Sequence, residues 1–408
     1  MSDQFKSGMR ELAKGSQLYP QEALLKTPNA EATIFVGIPK EVSYQENRVS
    51  LNPESVGLLI ANGHQVYVES GAGLKAKFTD TEYSEAGAKI VYSTKELYQA
   101  DIILKVEPPT MDEINLMGHG KTLISALQIS NQSAEYIHAL NKKKITAVAI
   151  ELIEDKVGGL PVVRAMSEIA GSTVMLIAAE YLSSVNAGKG IILGGITGVP
   201  PTRVVILGAG TVAEYAARAA LGLGVEIQIF DNHIYKLRRL KHAVGQQIYT
   251  STIDTVTLNN SLKTADVVIG AIRAEKGRNR CIVTDEMVAA MKADSIIIDV
   301  SIDQGGCFET SERTTLSNPI YRKYDVIHYC VPNIASRVAH TATNAFSHIF
   351  TPILLQAAQA GSVEDMIFSH RWFMQGVYTY KGNLTNSMVA NRFKLKDKDL
   401  SLFIATRF

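Results

Sequence analysis

The sequence predicts an α/β protein built from two doubly wound domains, and three observations carry that reading. Apolar strand-like runs alternate with helical ones twice along the chain, the pattern of parallel sheets covered by helices on both faces. A glycine- and proline-rich break, Gly188 to Pro201, parts the two series. The length of 408 residues suits two domains, each able to bury its own core.

Residues 1–32 read as an extension with one short helix around Gln21 to Leu25. The first series runs Ile34 to Ile38, a helix over Ser55 to Ala61, Gln65 to Glu69, a helix near Thr81 to Ala86, and Ile102 to Val106. It continues with Thr122 to Leu127, a helix over Ser133 to Leu140, and Thr146 to Glu151. Turn chemistry at Asn62-Gly63 and Ala72-Gly73 falls between elements, where it belongs. A long helix from Ser167 towards Val185 precedes the break. The second series is Val204 to Leu207, helix 212–222, Glu226 to Phe230, helix 234–243, Val267 to Ala271, helix 285–291, Ser295 to Val300 and Val326 to Tyr329. After Val338 the pattern turns helical through Gln359.

Composition bounds the partners. Hydrophobic residues make up 46% of the chain and charged residues 20%, ordinary for a globular protein. A net charge of +1 gives no reason to invoke nucleic acid or an anionic membrane. Basic runs such as Lys142 to Lys144 and Lys236 to Lys241 read as solvated helix faces. Cys281, Cys307 and Cys330 lack metal-ligand spacing, so no metal is expected, and an odd count suits a reducing compartment. The polar segment Met1 to Ala32 lacks the apolar stretch of a secretory signal. The most apolar helical run, Val174 to Ala179, is far short of the ~20 residues that span a bilayer. A cytoplasmic setting follows as the expectation.

Two elements carry chemistry. Val204 to Leu207 runs into Gly208-Ala209-Gly210-Thr211-Val212-Ala213, the G-x-G-x-x-A form of a dinucleotide turn. There Gly208 permits the tight turn, Gly210 lets backbone approach a pyrophosphate, and Ala213 allows close helix–strand packing. The helix that follows offers unpaired N–H groups and a partial positive charge to phosphate. Asp231, ending the next strand roughly twenty residues on, suits ribose hydroxyls and would repel the extra phosphate of NADP, so NAD is the expected cofactor. About ninety residues after the glycine turn, Ile298 to Cys307 reads as a buried strand ending in Asp303 before Gly305-Gly306. That places an ionisable group where open α/β sheets bind ligands, a proton-transfer residue near a hydride.

Further motifs converge on one family. Gly37 to Glu41, Glu46 to Pro53, Glu69 to Gly73 and Leu104 to Val106 resemble alanine dehydrogenase and the NAD-binding subunit of proton-translocating transhydrogenase. Met166 to Gly171, Ile302 to Cys307, His328 to Asn333 and Gly376 to Gly382 resemble the alanine dehydrogenase branch, over about residues 33–395. The resemblance implies two Rossmann-like domains with the active site in the cleft between them. The catalytic one would be discontinuous, 33–165 with 338–408, around an NAD-binding domain at 166–337. It implies interconversion of L-alanine, water and NAD with pyruvate, ammonium and NADH, in a closed homo-oligomer, often a hexamer. By the same resemblance Arg48 binds the substrate carboxylate, Lys105 binds and polarises the reacting carbonyl or imine, and Asp303 shuttles the proton. Ser167, Lys236 and Asn333 join the cofactor site.

One position departs. Gln128 stands where the family carries a histidine; an amide can hydrogen-bond a substrate oxygen but cannot exchange a proton. His119, in a loop, and His328, on a strand, read as structural rather than as substitutes. Asp303 and Lys105 would then take over the proton work. Two other readings stay open: a dehydrogenase for a different amino or 2-oxo acid, with Gln128 reading a polar group, and a weakened NAD-binding regulatory protein.

Overall fold

The computed structural model describes residues 32–273 and 281–403; the expected extension and its short helix, Ala32 apart, lie outside them. Two sheets carry the fold. In the first, β1 (Phe35–Ile38), β2 (Gln65–Glu69), β3 (Lys89–Val91), β4 (Ile102–Leu104), β5 (Thr122–Ser125) and β6 (Thr146–Ala149) lie parallel in the order β3-β2-β1-β4-β5-β6. In the second, β7 (Arg203–Leu207), β8 (Glu226–Phe230), β9 (Tyr249–Ser251), β10 (Val267–Gly270), β11 (Ile296–Asp299) and β13 (Val326–Tyr329) repeat that order, with β12 (Ile320–Lys323) antiparallel on the β13 edge. Each sheet therefore reverses direction beside its first strand, at β1/β4 and at β7/β10, which is where doubly wound sheets open a crevice.

The chain returns to complete the first sheet. β14 (Val377–Tyr380) pairs antiparallel with β6, and β15 (Asn383–Leu384) pairs with β14. Helix Ala339–Gln359 inserts Phe346, Phe350 and Leu354 into the same core as Val36, Leu51 and Leu104. Helix Pro161–Leu182 belongs to both halves: Val162 packs in the first core, Ala170 to Leu182 in the second. It starts at Pro161 rather than near Ser167, because proline's fixed φ and missing N–H suit a first helical turn. Its 22 residues, with a mean hydropathy of 1.4 over its most apolar window, make it longer than the sequence suggested and long enough to cross a membrane. In this fold its apolar side is taken up by helix Thr211–Gly222 and the second core.

Two expectations are corrected. β4, β5, β6, β10 and β11 are shorter than their apolar runs, and the residues beyond each strand end turn towards the crevice. Asp303 is not on a strand: β11 stops at Asp299, whose carboxylate accepts the backbone N–H groups of Ser301 and Cys307, both at 3.0 Å. That folds Val300–Gln304 into a 3₁₀ turn closed by Gly305 and Gly306 at φ 99° and 74°.

The contact between helices Pro161–Leu182 and Thr211–Gly222 depends on Gly171, where an added Cβ would lie 2.4 Å from the Val212 carbonyl and 2.8 Å from Tyr215 Cβ. Gly171→Ala should lower stability by about 1–3 kcal/mol through overpacking, read as a lower urea midpoint at unchanged slope; an unchanged midpoint would show that the helices slide apart freely.

Candidate active site

A cavity of about 360 Å³ opens where the carboxyl ends of the two sheets meet. The first half contributes Arg48, Glu107, Gln128 and Glu151, the second Val212, Arg273, Asp303 and Asn333, and helix Pro161–Leu182 lays Met166 and Ser167 along one wall.

Arg48 is buried and cannot stand free. Its Nε and Nη2 donate to the two oxygens of Glu46 at 2.8 and 2.6 Å, and its guanidinium sits 5.2 Å over the Phe346 ring. Burial works against the charge of both groups. Their mutual attraction outweighs it, holding Glu46 below the usual carboxylate range and Arg48 above its ordinary value. Nη1 faces only Met166 Sδ at 3.4 Å, a weak acceptor, so this is the donor left for a substrate carboxylate. Asn333, in the left-handed region at φ 56°, donates to Glu46 Oε2 at 2.8 Å and so ties the second half to this pair.

Lys105 does not reach the cavity. Its side chain is 1% exposed, and its ammonium lies 2.6 Å from Glu113 Oε1 and 3.4 Å from Glu41 Oε2. Burial opposes its charge, but Glu41 and Glu113 together keep its pKa above the ordinary lysine value. The expected carbonyl-polarising role is therefore corrected: Lys105 is an internal counter-ion. Two residues on, Glu107 lines the cavity instead, 3.7 Å from Arg48 Nη2. Burial pushes its carboxyl up to about 7, with Glu46 adding to the push and Arg48 and Gln128 opposing it.

Gln128 does line the cavity, and its side chain is already directed. Nε2 donates to Glu107 Oε2 at 2.7 Å. The backbone there is left-handed, φ 46°, and is pinned by Glu151 Oε1, which accepts the N–H groups of Leu127 and Gln128, each at 2.9 Å. Asp303 opens to the cleft at its mouth. Protein packed around it still raises its carboxyl by burial, with Arg313 the main opposing charge.

The dinucleotide turn has the shape its glycines demand. Gly208 sits at φ 107°, and a Cβ there would meet the Ala271 carbonyl at 2.5 Å. Above Gly210 nothing lies within 4 Å of an added Cβ, so the space a pyrophosphate needs is open. Ala213 is fully buried against the second core. Asp231 accepts the Ala209 N–H through Oδ2 at 2.8 Å and the His233 N–H through Oδ1 at 2.7 Å, which leaves a lone pair on Oδ2 facing the turn. Ser167 and Asn333 line the cavity; Lys236 does not, standing on the first turn of helix Ile234–Val244 beside Tyr235.

Against known proteins, residues 37–170 match the alanine dehydrogenase/PNT N-terminal domain and residues 174–387 the alanine dehydrogenase/PNT C-terminal domain. The chain belongs to the alanine dehydrogenase/PNT family. It is 37% identical over 364 residues to an alanine dehydrogenase of Methanococcus maripaludis, covering 89% of this chain and 97% of that one. It is 36% identical over 366 residues to alanine dehydrogenase 2 of Staphylococcus aureus, covering 90% and 98%. Among solved structures an L-alanine dehydrogenase superposes with a TM-score of 0.83 at 34% identity, covering 88% of this chain and 99% of that one. A transhydrogenase from Sinorhizobium meliloti gives 0.74 at 24% identity, covering 86% and 99%, a likeness of fold.

Within this family fold, the sequence reading missed Glu107, Glu151 and Arg273. Glu107 was legible only as the first acid past the end of β4, since nothing in an all-buried strand says which way the chain turns afterwards. His328 is structural as expected: fully buried, it shares a hydrogen bond with Thr310 Oγ1 at 2.8 Å, stacks on Tyr321, and burial lowers its pKa to about 4. His119 is exposed in a turn. Among the described residues no group of three or more His, Cys, Asp or Glu could hold a metal ion.

Lys105→Met should cost about 3–5 kcal/mol of folding free energy, because it leaves Glu41 and Glu113 buried without their cation. A turnover with pyruvate and ammonium that falls while stability holds would instead return Lys105 to the site.

Proposed function

We propose that this protein is an NAD-dependent amino-acid dehydrogenase interconverting L-alanine and water with pyruvate and ammonium. The observation that carries this reading is convergence: the glycine turn's half and the Arg48 half open onto one cavity, with Asp303 at its mouth. The related proteins named alanine dehydrogenase over nearly their whole length support the substrate.

NAD, when bound, supplies the hydride acceptor and, reduced, the hydride donor. Gly208, Ala209, Gly210 and the N-terminus of helix Thr211–Gly222 would hold its pyrophosphate, and Asp231 its ribose hydroxyls. The protein's own groups do the rest. Arg48, fixed by Glu46, presents Nη1 to the substrate carboxylate and sets the position of Cα. The mouth of the cavity admits water beside Asp303, whose raised pKa suits it to take a proton from water adding to an imine. Met166, Val162 and Phe346 give the walls an apolar lining fitted to a small side chain. Arg48 and Asp303 lining one cavity with Val212 of the helix after the turn favour this reading over a regulatory protein or a dehydrogenase for another acid. Loop residues Val185, Ile192, Ile196 and Val199 are exposed apolar side chains suited to contact between copies, in keeping with a homo-oligomer. The unpaired cysteines fit a cytoplasmic setting.

NADH oxidation with pyruvate and ammonium, run beside a panel of other 2-oxo acids, tests the reaction. Pyruvate should be turned over best; no turnover on any acid while NADH still binds would overturn the reading. Asp231→Ser should narrow the ratio of NADP to NAD dissociation constants, since the carboxylate that repels a 2′-phosphate is gone. An unchanged ratio would remove Asp231 from the ribose site.

A further inference from the structure

We propose that Glu107 is the residue that takes the ammonium proton from the amino-acid substrate in deamination and returns it in the reverse direction, with Gln128 as its positioning residue. This rests on the dehydrogenase reading above and names the group that does what the family position of Gln128 cannot.

The geometry makes the case. Glu107 lines the cavity with its side chain 14% exposed, 3.7 Å from the guanidinium that anchors the substrate carboxylate. An α-amino acid carries its nitrogen one carbon beyond that carboxylate, so a substrate on Arg48 brings its ammonium to Glu107. Oε2 is engaged by the Gln128 amide at 2.7 Å, and Oε1 turns towards Arg48 and the cavity. The Gln128 amide is held at both ends, since its Oε1 accepts from Asn131 Nδ2 at 3.2 Å while Glu151 holds its backbone. An amide that donates to one carboxylate oxygen leaves the other as the acceptor.

The step is a proton transfer. The substrate N–H bond breaks as an O–H bond forms at Glu107, and the nitrogen keeps the electron pair that later closes the C=N bond. Deamination needs Glu107 ionised and reductive amination needs it protonated. The charged groups around it are Arg48, Glu46 and Glu41 from the segment after β1, Glu151 beyond Gln128, and Asp303 and Arg273 across the cavity. Burial and this largely acidic surround bring the carboxyl to about 7, near the pH at which a general base works best.

The experiment compares wild type, Glu107→Gln and Glu107→Asp for alanine oxidation across pH, with NADH binding measured alongside. In wild type, kcat/KM should rise with pH through a limb near 7. Glu107→Gln should lose about 10²–10⁴ of kcat with that limb gone and NADH binding kept. Glu107→Asp should recover part of the rate with the limb displaced. Glu107→Gln that keeps both rate and limb overturns the role of Glu107 alone, whereas a wild type inactive on every amino acid overturns the dehydrogenase reading beneath it. Should Glu107→Gln fail to fold, Glu107→Asp decides, since it keeps the charge facing Arg48; an unmoved limb then overturns the proposal. Gln128→Leu should move the limb and lower kcat while leaving NADH affinity alone, and an unmoved limb would deny Gln128 its positioning role.

Discussion

The site depends on the buried pair Arg48–Glu46. Two charges removed from water cost several kcal/mol each, and a pair at this depth survives only with close geometry and further donors. Here those donors come from the other half of the molecule. Glu46 accepts from Asn333 Nδ2 at 2.8 Å, and beside it the Ser336 hydroxyl accepts the Asn47 N–H at 2.9 Å and donates to the Gln45 carbonyl at 2.8 Å. Satisfying Glu46 thus requires the 3₁₀ segment Ile334–Val338 to be seated against the loop after β1. The pair that would hold the proposed substrate anchor is thus also one of the contacts joining the two halves.

Around that pair the electrostatics are not those of a cationic anion trap. Lys105 is spent on Glu41 and Glu113, and Glu107, Glu151 and Asp303 line the space where a second cation would otherwise polarise the substrate. A carboxylate substrate can still bind, because Arg48 Nη1 is engaged only by the weak acceptor Met166 Sδ and Arg273 also lines the cavity. What the surround favours is a substrate that brings its own positive charge beside its carboxylate. An amino-acid zwitterion meets that condition, and a 2-hydroxy acid does not.

Much of this was legible before the structure. The strands with long apolar runs, the glycine turn and Asp231 followed from period, backbone freedom and spacing, which are local. β3, β9 and β12, three or four residues long with little alternation, carried too weak a pattern to be seen. Lys105 against Glu107 was illegible for a sharper reason. β4 is buried on both faces, so its residues give no inside–outside alternation from which to project the facing of residues past its end. A basic residue in a recognised motif then looked like the functional one, while the acid two positions on held the cavity. Asp303 failed similarly: the two acids of Asp299-Val300-Ser301-Ile302-Asp303 look alike in sequence, and only the N–H groups collected by Asp299 decide where the strand ends.

Gln128 gains its meaning from the same environment. In a cavity whose acid–base group is a carboxylate near neutrality, a histidine beside it would itself titrate, and the pair would share protons in two coupled steps. A glutamine holds no charge and has one orientation that satisfies Glu107 and Asn131 together, donating through Nε2 and accepting the Asn131 Nδ2 at 3.2 Å through Oε1. The exchange of a titrating side chain for an amide therefore leaves a single proton carrier at this point rather than none. Its pKa is set by burial, Glu46 and Arg48, so a bound carboxylate on Arg48 would weaken that cation's hold on Glu107 and offset the pull of the arriving ammonium on its ionised form.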